Sequence, residues 1–247
     1  MAKNLNYGII IPVRMSSMRF PGKPLIKLCG KSMIQRTWER CCETVGRERV
    51  HIATESSVIA AHVRDFGGLA VITSDNCLTG TDRVAEANNQ LDLDLVINVQ
   101  GDEPIINPKD ILAIIDHYKA NPGTVVNGMA QIDNEAEYLS RNIPKVAFSK
   151  GNRLLYMSRS PLPGNKSGEF ELAYKQICIY AFSKMHLQMF SSFNEKTFFE
   201  YSEDIEILRF LENDVAVSMV ELSGSSLAVD VPGDVLRVEA YIKEHEF

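Results

Sequence analysis

The chain has no long apolar run. Its first hydrophobic stretch, Tyr7–Pro12, is stopped by Pro12, follows a segment with a single Lys, and is too short for a membrane span or a secretory leader. Cysteine is sparse and unpatterned. Cys29, Cys41, Cys42, Cys77 and Cys178 form no CxxC pair and no Cys/His spacing suited to zinc. Adjacent Cys41 and Cys42 on a helix point about 100° apart, which opposes a bridge between them. An odd count without a framework fits a reducing compartment, so a cytoplasmic location is expected. Positive charge is also short: 26 Lys and Arg stand against 32 Asp and Glu, for a formal net charge of −6. That balance argues against a nucleic-acid partner, while leaving room for a local basic pocket. No repeat, low-complexity tract or linker divides the 247 residues, so a single domain is expected.

Two phosphate-binding signatures are missing as well. No GxGxxG follows the first apolar run, and Gly30-Lys31-Ser32 resembles the end of a P-loop only until position 25, where Leu stands for the required Gly.

What is present is alternation. Short apolar runs at Tyr7–Pro12, Val50–Thr54, 69–73, 93–100 and 124–132 read as strands. Helical periodicity lies between them at Met33–Val45, after Ser56 or Ser57 up to Gly67-Gly68, at 81–91, and at 109–120 behind the Asn107-Pro108 start signal. From 149 to 171 glycine and proline mark an excursion. Beyond it, strands are expected at 174–182, 215–220 and 227–229, and helices near 184–190, 204–213 and 232–243. The expected class is α/β, a mainly parallel sheet with helices on both faces, and ligands bind beyond the carboxyl ends of such strands.

The residues just past those strand ends carry the chemistry. After the first strand, PVRMSSMRFPGKPL (12–25) supplies Arg14, Arg19 and Lys23 with Ser16, Ser17 and Gly22. Cations, hydroxyls and a glycine in close order suit a phosphate chain, although a solvated basic loop would look the same. Thr79-Gly80-Thr81-Asp82-Arg83 follows the third strand and Asn98-Val99-Gln100-Gly101-Asp102-Glu103-Pro104 ends the fourth. Asp102 there is either a Mg²⁺ ligand or a turn cap, and Asp230 in VDVPGD is either a second ligand or the cap of the last helix. Glu203 and Glu206, read as i and i+3 on one helix over 200–209, could accept sugar hydroxyls or form a solvated face. His51, His62, His117, His186 and His245 fall in no motif, and Trp38 reads as core.

In order, these segments resemble the 3-deoxy-manno-octulosonate cytidylyltransferases (CMP-KDO synthetases): IPAR-x-x-S-x-R-x-PGKPL, SGT-[DE]-R, NVQGDEP, LYFSR-x-x-IP and G-VDTPED, across about residues 7 to 243. The resemblance implies a Rossmann-like fold with an inserted dimerisation region at about 130–195, and a homodimer. It implies CMP transfer from CTP to a 3-deoxy-2-ulosonic acid, for bacterial surface polysaccharide. Arg14, Ser17, Arg19 and Lys23 would embrace the triphosphate, with Ser74 and Arg83 on the nucleotide side. Asp102 and Asp230 would hold Mg²⁺, so that Lys23, Arg19, Asp102 and Asp230 form the catalytic set. Gln100, Arg159, Gln176, Tyr180, Glu203 and Glu206 would face the sugar acid, Arg159 on its carboxylate. The sequence departs from the family where Gln176 replaces His, Ala228 and Val231 replace Gly and Thr, Gly233 replaces Glu, and Glu55 replaces the usual Asp. These departures lie mainly on the acceptor side. They keep open another acceptor (an amino-octulosonic, nonulosonic or phosphonic acid), a sugar-1-phosphate nucleotidyltransferase, or a non-catalytic nucleotide-binding relative.

Overall fold

The computed structural model describes residues 5–16 and 20–245. In chain order the strands are β1 Tyr7–Pro12, β2 Lys27–Leu28, β3 Lys31–Ser32, β4 Val50–Thr54, β5 Leu69–Ile72, β6 Leu95–Val99, β7 Val125–Gln131, β8 Lys145–Phe148, β9 Leu154–Ser158, β10 Tyr174–Ser183 and β11 Val217–Glu221. The helices are α1 Met33–Val45, α2 Ser57–Asp65, α3 Gly80–Leu91, α4 Pro108–Ala120, α5 Glu135–Leu139, α6 Lys184–Ser191, α7 Phe198–Glu203, α8 Leu208–Glu212 and α9 Asp234–Glu244. Side-chain oxygens of Ser32, Ser56, Thr79, Asn107 and Ser183 accept a first-turn amide of the helix that follows each, so these starts are set by local sequence.

The main sheet runs β11-β7-β10-β6-β1-β4-β5, with β8 and β9 attached through β10. Along that path pairing is parallel except at β10, which is antiparallel to both β6 and β7, and the attached β8 and β9 are antiparallel as well. Alternation along β1 sorts the core. Ile9 and Ile11 pack with Ile34 and Trp38 of α1, Ile59 of α2 and Ile111 and Ile115 of α4 on one face. Ile10 packs with Val84 of α3, Phe190 of α6 and Phe210 of α8 on the other. The expected mainly parallel sheet with helices on both faces is therefore present. The interval 130–195 holds β8, β9 and β10, and β10 is built into the middle of the sheet.

Two expected elements differ. The segment 204–213 is not one helix, because α7 starts early at a capping box of Thr197 and Glu200 and ends where Asp204 adopts a left-handed conformation (φ 51°). Residues 227–229 form no strand. They run singly past the sheet, Val229 donating its amide to the Asp102 carbonyl at 3.0 Å.

A buried ion triad fastens the α7–α8 segment to α3. Arg209 Nε lies 2.6 Å from Glu200 Oε2, and its Nη1 lies 2.9 Å from Asp82 Oδ1. The Arg209 and Glu200 side chains are 1% and 0% exposed. Burial alone would depress the guanidinium pKa, but the hydrogen bonds it donates to Glu200 and Asp82 outweigh it and raise it. Removing the cation would leave two carboxylates uncompensated in a poorly solvated site. Arg209→Met is therefore expected to lower unfolding free energy by about 3–5 kcal/mol in urea titrations. A loss below about 1 kcal/mol would show that the triad does not hold this junction.

Candidate functional site

The loop after β1 turns at Gly22, which is left-handed (φ 70°), and enters a short 3₁₀ turn over Lys23–Leu25. That turn aims Lys23 across the sheet end. Its Nζ lies 2.7 Å from Asp102 Oδ2 and 3.4 Å from Asp230 Oδ1. Asp102 reaches this point because β6 ends beside β1 with Gly101 between them. A Cβ at Gly101 would meet Val13 Cγ2 at 2.8 Å and the Pro12 carbonyl at 3.2 Å, so only glycine permits that approach. Asp230 is brought in by the Val229 amide bond to Asp102. It does not cap the last helix. Asp234 Oδ2 takes the Asp230 and Val231 amides at 2.9 and 3.0 Å, leaving the Asp230 carboxylate turned to Lys23.

These groups line a cavity of about 300 Å³ together with Arg14, Arg83, Gln100 and Glu206. The structure therefore assembles Arg14, Lys23, Arg83, Gln100, Asp102, Glu206 and Asp230 from segments scattered along the chain. Arg14 is exposed, so its guanidinium can meet a ligand from solvent. Arg83 is buried, donating from Nη1 to Thr73 Oγ1 at 2.5 Å and lying 3.1 Å from Glu55 Oε2. Glu55 also accepts the Met15 amide at 2.9 Å, so this departure from the family pattern ties the phosphate-side loop to α3. Ser17 and Arg19 lie outside the described residues.

The remaining expected residues do not line the cavity. Ser74 spends its hydroxyl and amide on Glu86. Arg159 points its guanidinium at main-chain carbonyls of Glu203 (2.5 Å), Asp204 (2.9 Å) and Arg141 (3.0 Å), with the Asp204 carboxylate 4.0 Å from Nη2. Gln176 bonds Asn127 Oδ1 and the Tyr180 hydroxyl beneath the sheet end. Glu203 accepts from Ser158 Oγ and the Arg159 amide at 2.7 and 2.8 Å. Glu203 and Glu206 do not share a helical face, because Asp204 breaks the helix between them. Glu206 instead accepts the Gly80 and Thr81 amides, each at 2.9 Å, at the start of α3.

Burial of charge tunes this end of the fold. Glu103 is 7% exposed and is pushed up to about 7 by desolvation and then by the Asp102 charge, against the pull of a Ser226 hydroxyl bond. Desolvation also raises Glu206, with the Thr81 hydroxyl and the Thr81 and Gly80 amides opposing it. Tyr180 is raised well above its ordinary value by burial and neighbouring negative charge, so it remains a neutral phenol.

Among the described residues no group of three or more His, Cys, Asp or Glu side chains is placed to hold a metal. Two carboxylates do converge. Asp102 and Asp230 are 31% and 37% exposed and share one cation, the Lys23 ammonium. That donor set suits a hard divalent ion that takes one or two protein carboxylates and completes its shell with phosphate and water. Sequence reasoning gave no role to Asp82, Lys196, Asp204 or Arg209, and named Glu55 only as a departure from the family pattern. Asp82, inside the GTDR segment, was the one with a local signal.

The described residues include no helix long and apolar enough to cross a membrane. A family model described as cytidylyltransferase matches residues 8–219. The 3-deoxy-manno-octulosonate cytidylyltransferase of Syntrophotalea carbinolica is 38% identical, over 95% of this chain and 97% of that protein. The 8-amino-3,8-dideoxy-manno-octulosonate cytidylyltransferase of Shewanella baltica is 36% identical, over 95% and 98%. A solved structure of CMP:2-keto-3-deoxy-manno-octonic acid synthetase complexed with CTP superposes with a TM-score of 0.90 at 32% identity, covering 97% of this chain and 99% of that one.

The raised Glu103 pKa predicts how stability varies with pH. Between its ordinary 4.5 and about 7 the folded chain keeps a proton that the unfolded chain has lost. Stability therefore falls as pH rises across that window and levels off above it, by about 3 kcal/mol in total for this group. Glu103→Gln should remove that share of the decline in urea titrations at pH 4.5 and 8 with chelator present. An unchanged slope would mean that Glu103 is charged in the fold at neutral pH.

Proposed function

The chain belongs to the cytidylyltransferase family, and from that premise we propose that it transfers CMP from CTP to the anomeric 2-hydroxyl of 3-deoxy-manno-octulosonate, releasing pyrophosphate and giving the CMP-sugar for surface polysaccharide synthesis. One observation carries the reading: two carboxylates distant in sequence meet at one cation within a cavity that also holds Arg14.

The reaction is an in-line displacement at the α-phosphorus. The O–P bond to the sugar forms as the bond to the bridging oxygen of pyrophosphate breaks, and the hydroxyl proton is lost. Lys23 and Arg14 suit the triphosphate, since they are the cations lining the β1 side of the cavity. Lys23 stands where charge gathers on the departing pyrophosphate, and a fixed cation there lowers the barrier more than it tightens the ground state. Gln100 and Glu206 line the acceptor side. Glu206, held by two α3 amides, fixes the Thr79–Gly80 wall of the cavity and leaves little freedom for it to rotate. Arg159 acts through the backbone of residues 141 and 203–204, as a brace of that wall. Mg²⁺ is the cofactor of this reading. It would be held by Asp102 and Asp230, and it would neutralise charge on the phosphoryl oxygens and acidify the attacking hydroxyl.

An 8-amino acceptor is the second reading, favoured by the similarity to the Shewanella baltica protein. A cytoplasmic homodimer completes the proposal. Free cysteines fit the compartment, and exposed Leu155, Leu172, Phe198 and Tyr201 in and beside the inserted region fit a self-contact. Sedimentation of the purified chain as a monomer at micromolar concentration would exclude that contact.

The deciding measurement is pyrophosphate release with CTP, Mg²⁺ and 3-deoxy-manno-octulosonate, with the other nucleoside triphosphates as controls. Release dependent on CTP, acid and Mg²⁺ is expected. Asp102→Asn should lower turnover by about 10²–10³, and turnover near the parent value would remove Asp102 from the catalytic set.

A further inference from the structure

The acceptor end of the cavity carries an ion pair for which CMP transfer itself has no use. Lys196 Nζ lies 2.8 Å from Asp204 Oδ1, and both side chains line the cavity. A continuous wall joins this pair to the reacting groups. Glu206 follows Asp204 closely in the chain. A Cβ placed on Gly80 would lie 3.4 Å from Glu206 Oε1 and 3.3 Å from the Gln100 amide, and Gln100 leads through Gly101 to Asp102. Lys23, Asp102 and Asp230 thus mark one end of the path, and Lys196 with Asp204 marks the other.

With the anomeric C2 and its carboxylate at the Asp102 end, the rest of the sugar extends along that wall. C8 is the acceptor atom furthest from C2 along its bonds, so it approaches the far end. The acids named for the two relatives described above differ at this atom. An amine at C8 is an ammonium at neutral pH, whereas the hydroxyl carries no charge. Local charge at the far end therefore separates the two substrates.

Asp204 is the group that would attract an ammonium there. Its left-handed backbone ends α7, and the residue lines the cavity with a side chain that is 71% exposed. Arg159 Nη2 is 4.0 Å from it and is already committed to the Asp204 carbonyl. The nearby Glu206 carboxylate is committed to the Gly80 and Thr81 amides. Lys196 is a close counter-ion, its side chain 25% exposed and that of Asp204 71%, so solvent weakens the pair's field without removing it. Resting on the cytidylyltransferase reading, we propose that Lys196 is a specificity-determining residue. It neutralises Asp204 and presents a cation to the acceptor tail, favouring an acid with a C8 hydroxyl over one with a C8 ammonium.

The test compares kcat/KM for 3-deoxy-manno-octulosonate and for its 8-amino-8-deoxy analogue, at saturating CTP, in the parent chain and in Lys196→Gln, Asp204→Asn and the double variant. Lys196→Gln should move the ratio toward the amino acid by about fivefold or more, the size expected for one partly exposed charge. Asp204→Asn should move it the other way, and the double variant should return most of the distance. A ratio within about twofold of the parent in Lys196→Gln overturns the inference. If that variant does not fold, an unmoved ratio in Asp204→Asn overturns it equally. A parent chain that forms a CMP-sugar from neither acid overturns the cytidylyltransferase reading, and this inference with it. An active parent with unmoved ratios sinks the inference alone.

Discussion

Everything at this site depends on two like-charged carboxylates being brought to one point, where the Lys23 ammonium offsets their repulsion. Asp102 lies in the turn after β6 and Asp230 lies just before α9, and no regular element holds the two together. The Lys23 charge, a single main-chain bond from Val229 and the Asp234 cap set their separation. The cluster is partly solvated, so its internal attraction is modest, and its geometry is fixed mainly by the backbone beneath it. A site built this way can exchange the lysine for another cation at little cost in fold stability, because the sheet and not the ion pair holds the elements in place.

Around this cluster the wall of the cavity is rigid by construction. Glu206 binds the first turn of α3, Arg209 binds Asp82 one residue further on, and Glu55 binds Arg83 after that. Successive positions of α3 are thus tied to two different parts of the chain, the 206–209 segment and Glu55. Displacement of any one tie would be felt at Gly80, where the Gln100 side chain already packs closely. The acceptor half and the nucleotide half are joined through this helix start.

The sheet and its helices were legible in sequence because their signals are local. Alternating burial in β1, serine and asparagine caps, and the Asn107-Pro108 start each depend on a few neighbouring residues. The Lys23, Asp102 and Asp230 convergence was legible from motif order, since each residue follows a strand end or precedes a helix. The failures share a cause. Residues 204–213 read as one helix by composition, yet Asp204 breaks it so that Glu206 can reach α3, a gain invisible within the window. Residues 227–229 are apolar enough for a strand, but Val229 gives its amide to the Asp102 carbonyl and not to a sheet neighbour. Arg159 reads as an anion ligand by type, whereas carbonyls exposed at the end of α7 claim it. Lys196 and Asp204 carry no signal until the fold places them in one cavity.

The antiparallel course of β10 has a consequence for how the chain reaches this fold. β6 is complete by residue 99, but its neighbour on the far side is supplied by residues 174–183, and β7 can join the sheet only through that strand. Until β10 is laid down, the nascent sheet β6-β1-β4-β5 presents a bare ladder of amides and carbonyls along Leu95–Val99, a segment whose five residues are all buried at the end. Such an edge is sticky toward other extended chains, and closing it requires a long-range pairing that is slow to form. The strand that reaches the middle of the sheet from furthest along the chain is thus the one that seals it against mispairing during synthesis.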